Sequence, residues 1–288
     1  MAALLLSPAE LHSAIEAGEA RAVDCRFDLM NPAGGRALWA ESHIPGAPYA
    51  NLDHDLAGHA RGEGGRHPLP EPAEFATTLG RWGIKPDTLV VAYDNMGCAI
   101  AGRLWWMMNW MGHERAGLLD GGIQAWEAAD LPLERDEPVI GPTDYPVGGH
   151  CRPVVGLNEV ERAAIDGDMR MLDARDGARY QGLSEPLDSQ AGHVPGAINA
   201  FFRENLDANG RFRPPDELRE HYRELLAGAD PSTACVMCGS GVTACHDLFA
   251  MELAGLDGAA LYPGSWSEWS QSHTRPVARG PEPGGPSS

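Results

Sequence analysis

The chain repeats itself. Four landmarks recur in the same order, each about half the chain after its first copy, and a repeat of that size confines the fold to two equivalent units. Asp24-Cys25-Arg26 is answered by Asp173-Ala174-Arg175, each closing a short apolar run that reads as a buried strand. His43-Ile44-Pro45-Gly46-Ala47 is answered by His193-Val194-Pro195-Gly196-Ala197, with one conservative change. The β-rich run Leu89-Val90-Val91-Ala92-Tyr93 leads to Asp94, and Thr233-Ala234-Cys235-Val236-Met237 leads to Cys238. Finally, Asp120-Gly121-Gly122-Ile123-Gln124-Ala125-Trp126 is answered by Pro263-Gly264-Ser265-Trp266-Ser267-Glu268-Trp269. The repeat predicts homologous domains over 1–135 and 151–275, joined by a Pro- and Gly-containing linker over 136–150. The tail, 276–288, ends Gly-Pro-Glu-Pro-Gly-Gly-Pro-Ser-Ser and is expected to be disordered by composition.

Within each unit, short apolar runs alternate with helical stretches at 7–17, 72–82, 215–226 and 243–254. That alternation predicts an α/β fold in which each domain is a mainly parallel sheet flanked by helices. The first helix carries its own start signal, with Ser7 at the cap, Pro8 at the first helical position and Glu10 three residues after the cap. Trp105, Trp106 and Trp110 follow a helical spacing and are expected to pack in a core or domain interface. Ligands on parallel sheets sit beyond the carboxyl ends of the strands. Asp94 in one unit and Cys238 in the other stand at such ends.

Composition limits the partners. With 41 acidic against 22 basic residues, a net charge of −19 and Lys85 as the only lysine, the chain does not suit a phosphate-backbone partner. No apolar run approaches the ~18 to 20 residues of a bilayer span, so no membrane partner is expected. The first residues lack a basic leader and a long apolar stretch, which makes the cytoplasm the expected compartment. Six cysteines are too few for a disulfide scaffold and fit a reducing environment.

The stretch Cys238-Gly239-Ser240-Gly241-Val242-Thr243 carries the most chemistry, because a cysteine leaves a strand, two glycines let the backbone curl and a helix follows. Such a loop converges backbone N–H groups on one point, and the helix N-terminus adds its dipole. The same field favours a thiolate over a thiol. Thr243 is expected to cap the following helix and give its hydroxyl to the site.

With these residues the sequence resembles the tandem-domain rhodanese-type sulfurtransferases, and its Cys238-to-Thr243 loop resembles that of the 3-mercaptopyruvate enzymes. The resemblance spans nearly the whole chain and includes Asp173-Ala-Arg175, His193-Val-Pro-Gly-Ala197 and Gly264-Ser-Trp-Ser-Glu-Trp269. It implies that only the second domain is catalytic, in keeping with Asp94 at the position of Cys238. It implies a ping-pong reaction in which a small anionic donor passes sulfur to Cys238 as a persulfide, and a thiol, thioredoxin or cyanide removes it. Cys238, Ser240, Asp53 and His67 are then the expected catalytic residues, the last three as a proton relay. Arg179 and the loop residues Gly239, Gly241, Val242 and Thr243 are the expected substrate-binding residues. No cofactor and no metal are implied.

One departure bears on the donor. Mercaptopyruvate enzymes carry a second substrate arginine after the first, whereas here the stretch reads Ser184-Glu-Pro-Leu-Asp188-Ser-Gln190 without one. The neutral Gly239 and Ser240 argue against thiosulfate, whose enzymes place basic residues there. Mercaptopyruvate is therefore the favoured donor, with thiosulfate, or a persulfide carrier of little turnover, as the alternatives. Cys235-Val-Met-Cys238 lacks a second ligand pair for zinc, and Cys235 lies inside a strand, so it reads as core, as does Cys245. A C-x5-R phosphatase is excluded by Ala244, which stands where the phosphate-binding arginine would be. His54, His59 and His67 lack metal-ligand spacing.

Overall fold

The computed structural model describes residues 3–59 and 64–284. Its contacts divide the chain into two units. Unit 1 holds Met1–Gly58, Leu69–Cys151 and Leu206–Phe212, and unit 2 holds His59–Pro68, Arg152–Asn205 and Arg213–Ser288. Each unit thus takes a short segment from the other half of the sequence, which boundaries drawn at 1–135 and 151–275 do not anticipate. In unit 1 the borrowed piece is a tight hairpin pinned by the Phe212 N–H, which donates to Asp120 Oδ1 at 3.0 Å.

Unit 1 runs β1 (Leu4–Leu6), α1 (Pro8–Glu16), β2 (Ala20–Asp24), α2 (Gly34–Glu41), α3 (Pro72–Arg81), β3 (Leu89–Tyr93), α4 (Ala101–Trp110), β4 (Ala116–Leu119) and α5 (Gly122–Ala128). The Ser7 hydroxyl and Glu10 carboxylate form the capping box expected for α1. The sheet order is β1-β4-β3-β2, with every pairing parallel. Unit 2 runs α6 (Leu157–Asp166), β5 (Arg170–Asp173), α7 (Gly177–Tyr180), β6 (Ile198–Asn199), α8 (Pro215–Leu226), β7 (Ala234–Met237), α9 (Ala244–Leu253), β8 (Ala260–Leu261) and α10 (Ser265–Trp269). Its sheet order is β6-β5-β7-β8, again all parallel. The central strands β3 and β7 are apolar nearly throughout because helices cover both faces of a parallel sheet. All ten residues of α4 are buried, so Trp105, Trp106 and Trp110 are core.

The repeated landmarks have the same physical task in both units. Arg26 donates to the Asp24 carboxylate through Nε and Nη2 and to the Ser42 carbonyl, at 2.6 Å; Arg175 does the same with Asp173 and the Gly192 carbonyl, at 2.8 Å. Each arginine thereby ties the end of a strand to the residue preceding the His-x-Pro-Gly-Ala segment. His43 stacks on Trp39 and His193 on Tyr180, and the Nδ1 of each lies 2.8 Å from the carbonyl of the residue it stacks on. Trp126 and Trp269 each donate their indole N–H to a proline carbonyl, of Pro132 and Pro276.

The linker 136–150 packs on unit 1: the Thr143 N–H donates to the Gly80 carbonyl at 2.9 Å, and the Tyr145 hydroxyl lies 2.9 Å from His113 Nδ1. Its polar backbone finds partners at the end of α3 and beyond, which composition cannot show. The expectation of a disordered tail needs correction for 276–284, where His193 and Ala278 exchange backbone hydrogen bonds of 2.9 and 3.0 Å and Val277 packs on the unit 2 core. Residues 285–288 lie outside the described residues.

Candidate active site

The loop after the central strand is best understood first in unit 1. There the Asp94 carboxylate is fully buried and accepts four backbone N–H groups, those of Met96, Cys98, Ile100 and Ala101, at 2.8, 2.8, 2.7 and 2.9 Å. A loop that turns four N–H groups onto one carboxylate is an anion cradle, and in unit 1 the anion is built in. Burial pushes the Asp94 carboxyl above its ordinary range, while the four donors pull it the other way.

Unit 2 places Cys238 at the same point, directly after β7, and buries it. The Cys238 N–H donates to Ser265 Oγ at 3.0 Å, and its carbonyl accepts from the Trp266 N–H at 2.9 Å. The Gly239 carbonyl accepts from the Ser267 N–H at 2.8 Å. The start of α10 thus fixes the loop, as Ile123 does in unit 1 by donating to the Asp94 carbonyl at 3.0 Å. Gly97 and Gly241 occupy matching positions with φ of 69° and 73°, and a Cβ at 241 would lie 2.6 Å from the Pro263 carbonyl oxygen. Only glycine serves there. Val242 is buried beside it. Thr243 stands at the N-cap of α9 but makes no side-chain cap, contrary to expectation, because its backbone is already helical at φ −70°, ψ −16° rather than extended.

Two of the residues expected in the relay, Ser240 and His67, lie side by side. Residues 59–68 belong to unit 2, and His67 Nδ1 lies 2.7 Å from Ser240 Oγ, both residues being buried. Asp53 belongs to unit 1, on an exposed turn where its N–H donates to Asn51 Oδ1.

Arg179 sits on α7, whose N-terminus is capped by the Asp176 carboxylate. Its Nε and Nη2 donate to Glu185 at 2.8 to 3.2 Å, and Nη2 also to Asp188 Oδ2 at 3.1 Å. Its Nη1 turns toward Gly239, where a Cβ would lie 3.3 Å away. Glu185 and Asp188 come from the stretch in which a second arginine is absent, and they hold arginines from elsewhere: Glu185 also reaches Arg175, and Asp188 pairs with Arg66 at 2.7 Å. Arg66, adjacent to His67, brings its Nη2 toward Gly239, a placement that no sequence motif signals.

Cys235 is fully buried in β7, and burial pushes its thiol up to about 12. Cys245 is buried in α9 with its thiol against the Gly241 carbonyl. Among the described residues no cluster of three or more His, Cys, Asp and Glu could hold a metal ion, and no helix is long and apolar enough to cross a membrane.

The pattern that defines the rhodanese-like domain matches residues 7–129 and again 157–272. The chain belongs to the rhodanese family. This tandem rhodanese is 43% identical over 281 residues to a Pseudomonas aeruginosa protein named a probable 3-mercaptopyruvate sulfurtransferase, covering 96% of the chain and 99% of the relative. It is 31% identical over 280 residues to the thiosulfate sulfurtransferase of Gallus gallus, covering 92% of each. The structure of 3-mercaptopyruvate sulfurtransferase from Leishmania major matches it with a TM-score of 0.83 at 32% identity, over 96% of this chain and 76% of that one. The protein is a sulfurtransferase.

Proposed function

We propose that this rhodanese moves sulfane sulfur from 3-mercaptopyruvate, through a persulfide on Cys238, to a thiol acceptor such as thioredoxin or a small thiol, or to cyanide. The observation that carries the reading is the equivalence of Cys238 and Asp94. In the sibling unit this position holds a carboxylate in a cradle of four N–H groups. The corresponding point of unit 2 carries Cys238, a sulfur nucleophile placed directly after β7 by the same loop design.

The chemistry then follows. The Cys238 thiolate attacks the donor sulfur, the S–C bond breaks, and its electron pair leaves with carbon as the enolate of pyruvate. The enolate takes up a proton, a step assigned to the Ser240 hydroxyl, which lies 2.7 Å from His67 Nδ1. In the second half-reaction the acceptor thiolate attacks the outer sulfur, and the Cys238 thiolate is regenerated. Arg179 holds the donor carboxylate, and the backbone of Gly239, Gly241, Val242 and Thr243 shapes the cradle.

A second donor, thiosulfate, is supported by the similarity to the Gallus gallus enzyme. Proton demand separates the two donors, because sulfite leaves as a stable anion. Ser240→Ala and His67→Ala should each slow 3-mercaptopyruvate turnover more than thiosulfate turnover, and the double variant should lose little beyond the worse single one if they act together. Equal losses with both donors would show that the pair only supports the loop. Arg179→Ala should raise KM for anionic donors about tenfold to a hundredfold, the value of a charge-assisted hydrogen bond of ~1.5 to 3 kcal/mol. Unchanged KM would reduce Arg179 to a partner of Glu185. Side-by-side kcat/KM for the two donors tests the donor itself.

A further inference from the structure

We propose that Asp247, on the helix that follows the Cys238 loop, is a neutral carboxylic acid paired with the Asn205 amide, and that it thereby puts no second buried negative charge beside Cys238. The charge state of Asp247 stands on its own geometry; only the consequence for Cys238 rests on the reading of that residue as the sulfur acceptor.

Three observations carry it. First, α9 leaves this residue no exposed face: Ala244 to Glu252 are all buried, Asp247 fully so. Second, its surroundings do not offer what Asp94 receives, a cradle of four backbone N–H groups. Asn205 Nδ2 donates to Asp247 Oδ1 at 2.8 Å, while Asp247 Oδ2 is buried with no hydrogen-bond partner, as is Asn205 Oδ1. Both orphans are acceptors, and one proton answers both. On Oδ2 it makes a donor, and Asn205 Oδ1 belongs to the amide that already grips the other carboxyl oxygen. Third, the amide cannot remove the need by turning over. Its Nδ2 also lies 3.3 Å from His246 Nδ1, which must accept because Nδ2 only donates, so that ring nitrogen carries no proton. In the opposite orientation the amide oxygen would face Asp247 Oδ1, and a proton would again have to lie between them.

The neighbours that bear most on Asp247 are uncharged or acidic. They are Asn205 at the end of the 3-10 turn Phe202–Asn205, Tyr222 on α8, Cys238 after β7, and Asp173 at the end of β5, whose charge Arg175 answers; His246, beside it on α9, presents its unprotonated Nδ1 to Asn205. Burial above all pushes the Asp247 carboxyl well above its ordinary range, and negative charge at Cys238 and Asp173 adds to this, while hydrogen bonds with Asn205 and Tyr222 act the other way. A carboxyl in such a place keeps its proton rather than stand as a lone buried charge. A negative Asp247 would oppose a thiolate on Cys238, and a neutral one does not.

Infrared difference spectra of the full chain test the charge state without turnover. Wild type minus Asp247→Asn at neutral pH should show the carbonyl stretch of a protonated carboxylic acid, downshifted in deuterated water, and Asp247→Ser should give the same band if the first variant folds poorly. Urea unfolding reads the same proton. The folded chain holds a proton that the unfolded chain has released, so wild type should lose stability relative to Asp247→Asn as pH rises. The ratio of their unfolding constants should change about tenfold per pH unit from roughly pH 5 to 7. In single-turnover sulfur loading of Cys238, the acid-side midpoint of the pH profile should be the same in both proteins. A carboxylate band in place of the acid band, a flat ratio, or a lower midpoint in Asp247→Asn would each overturn the proposal. No sulfur on Cys238 after exposure to 3-mercaptopyruvate would instead remove the reading of Cys238 and leave the infrared band unchanged, which separates the two failures.

Discussion

Cys238→Ser is expected to leave a folded protein with no detectable sulfur transfer. The replacement is nearly isosteric, and the bonds that fix residue 238 are made by its own backbone, to Ser265, Trp266 and the sheet, so the loop keeps its shape. Oxygen forms no persulfide, and neither remaining thiol of unit 2 substitutes. Cys235 lies inside β7, where burial suppresses its thiolate, and Cys245 is enclosed in α9. Steady-state pyruvate release from 3-mercaptopyruvate, with thermal melting as the control for folding, checks this. Substantial residual turnover in a variant that melts like the wild type would move the chemistry to another residue.

The second large effect is on stability. Arg175 is almost completely buried, pairs with Asp173 and Glu185, donates to the Gly192 carbonyl and lies with its guanidinium 4.7 Å from the Trp266 ring centre. Replacing it by alanine strands the buried Asp173 carboxylate and the Gly192 carbonyl, while Glu185 keeps Arg179, and breaking a buried pair from one side costs about 3 to 5 kcal/mol. Arg175→Ala should therefore lower the urea midpoint of unit 2 by a large step. Arg175→Lys should recover only part, since an ammonium cannot reproduce the forked geometry. A shift below about 1 kcal/mol would mean that water enters and solvates the acids.

How far each of these features could be read from sequence depends on whether its physics is local. Asp173-Ala-Arg175 and His193-Val-Pro-Gly-Ala197 were legible because side-chain pairing two residues apart and a positive-φ glycine leave a fixed spacing that two copies repeat. The Cys238 loop was legible for the same reason: strand, glycines and helix follow one another directly. Arg66 was not, because its meaning comes from contact with Asp188, 122 residues away. The Gly64-Gly65 pair before it marks a close backbone approach with no indication of its partner. Thr243 misled because a threonine before a helix normally caps it, whereas here its backbone is already helical. The packing of 136–150 and 276–284 was not legible because composition records what a stretch cannot bury by itself and is silent about carbonyls that other elements leave open. In sequence Asp94 stands where unit 2 has a cysteine, and in the fold its carboxylate satisfies the cradle that the loop builds.

The central claim is that sulfur passes through one thiol. The direct measurement is a single-turnover exposure of the enzyme to 3-mercaptopyruvate without an acceptor, followed by intact-mass and peptide mass spectrometry. The account predicts one added sulfur per chain, located on Cys238 and removed by a small thiol or cyanide. An added sulfur on Cys235, Cys245 or Cys151, or pyruvate released with no sulfur bound to the chain, would contradict it.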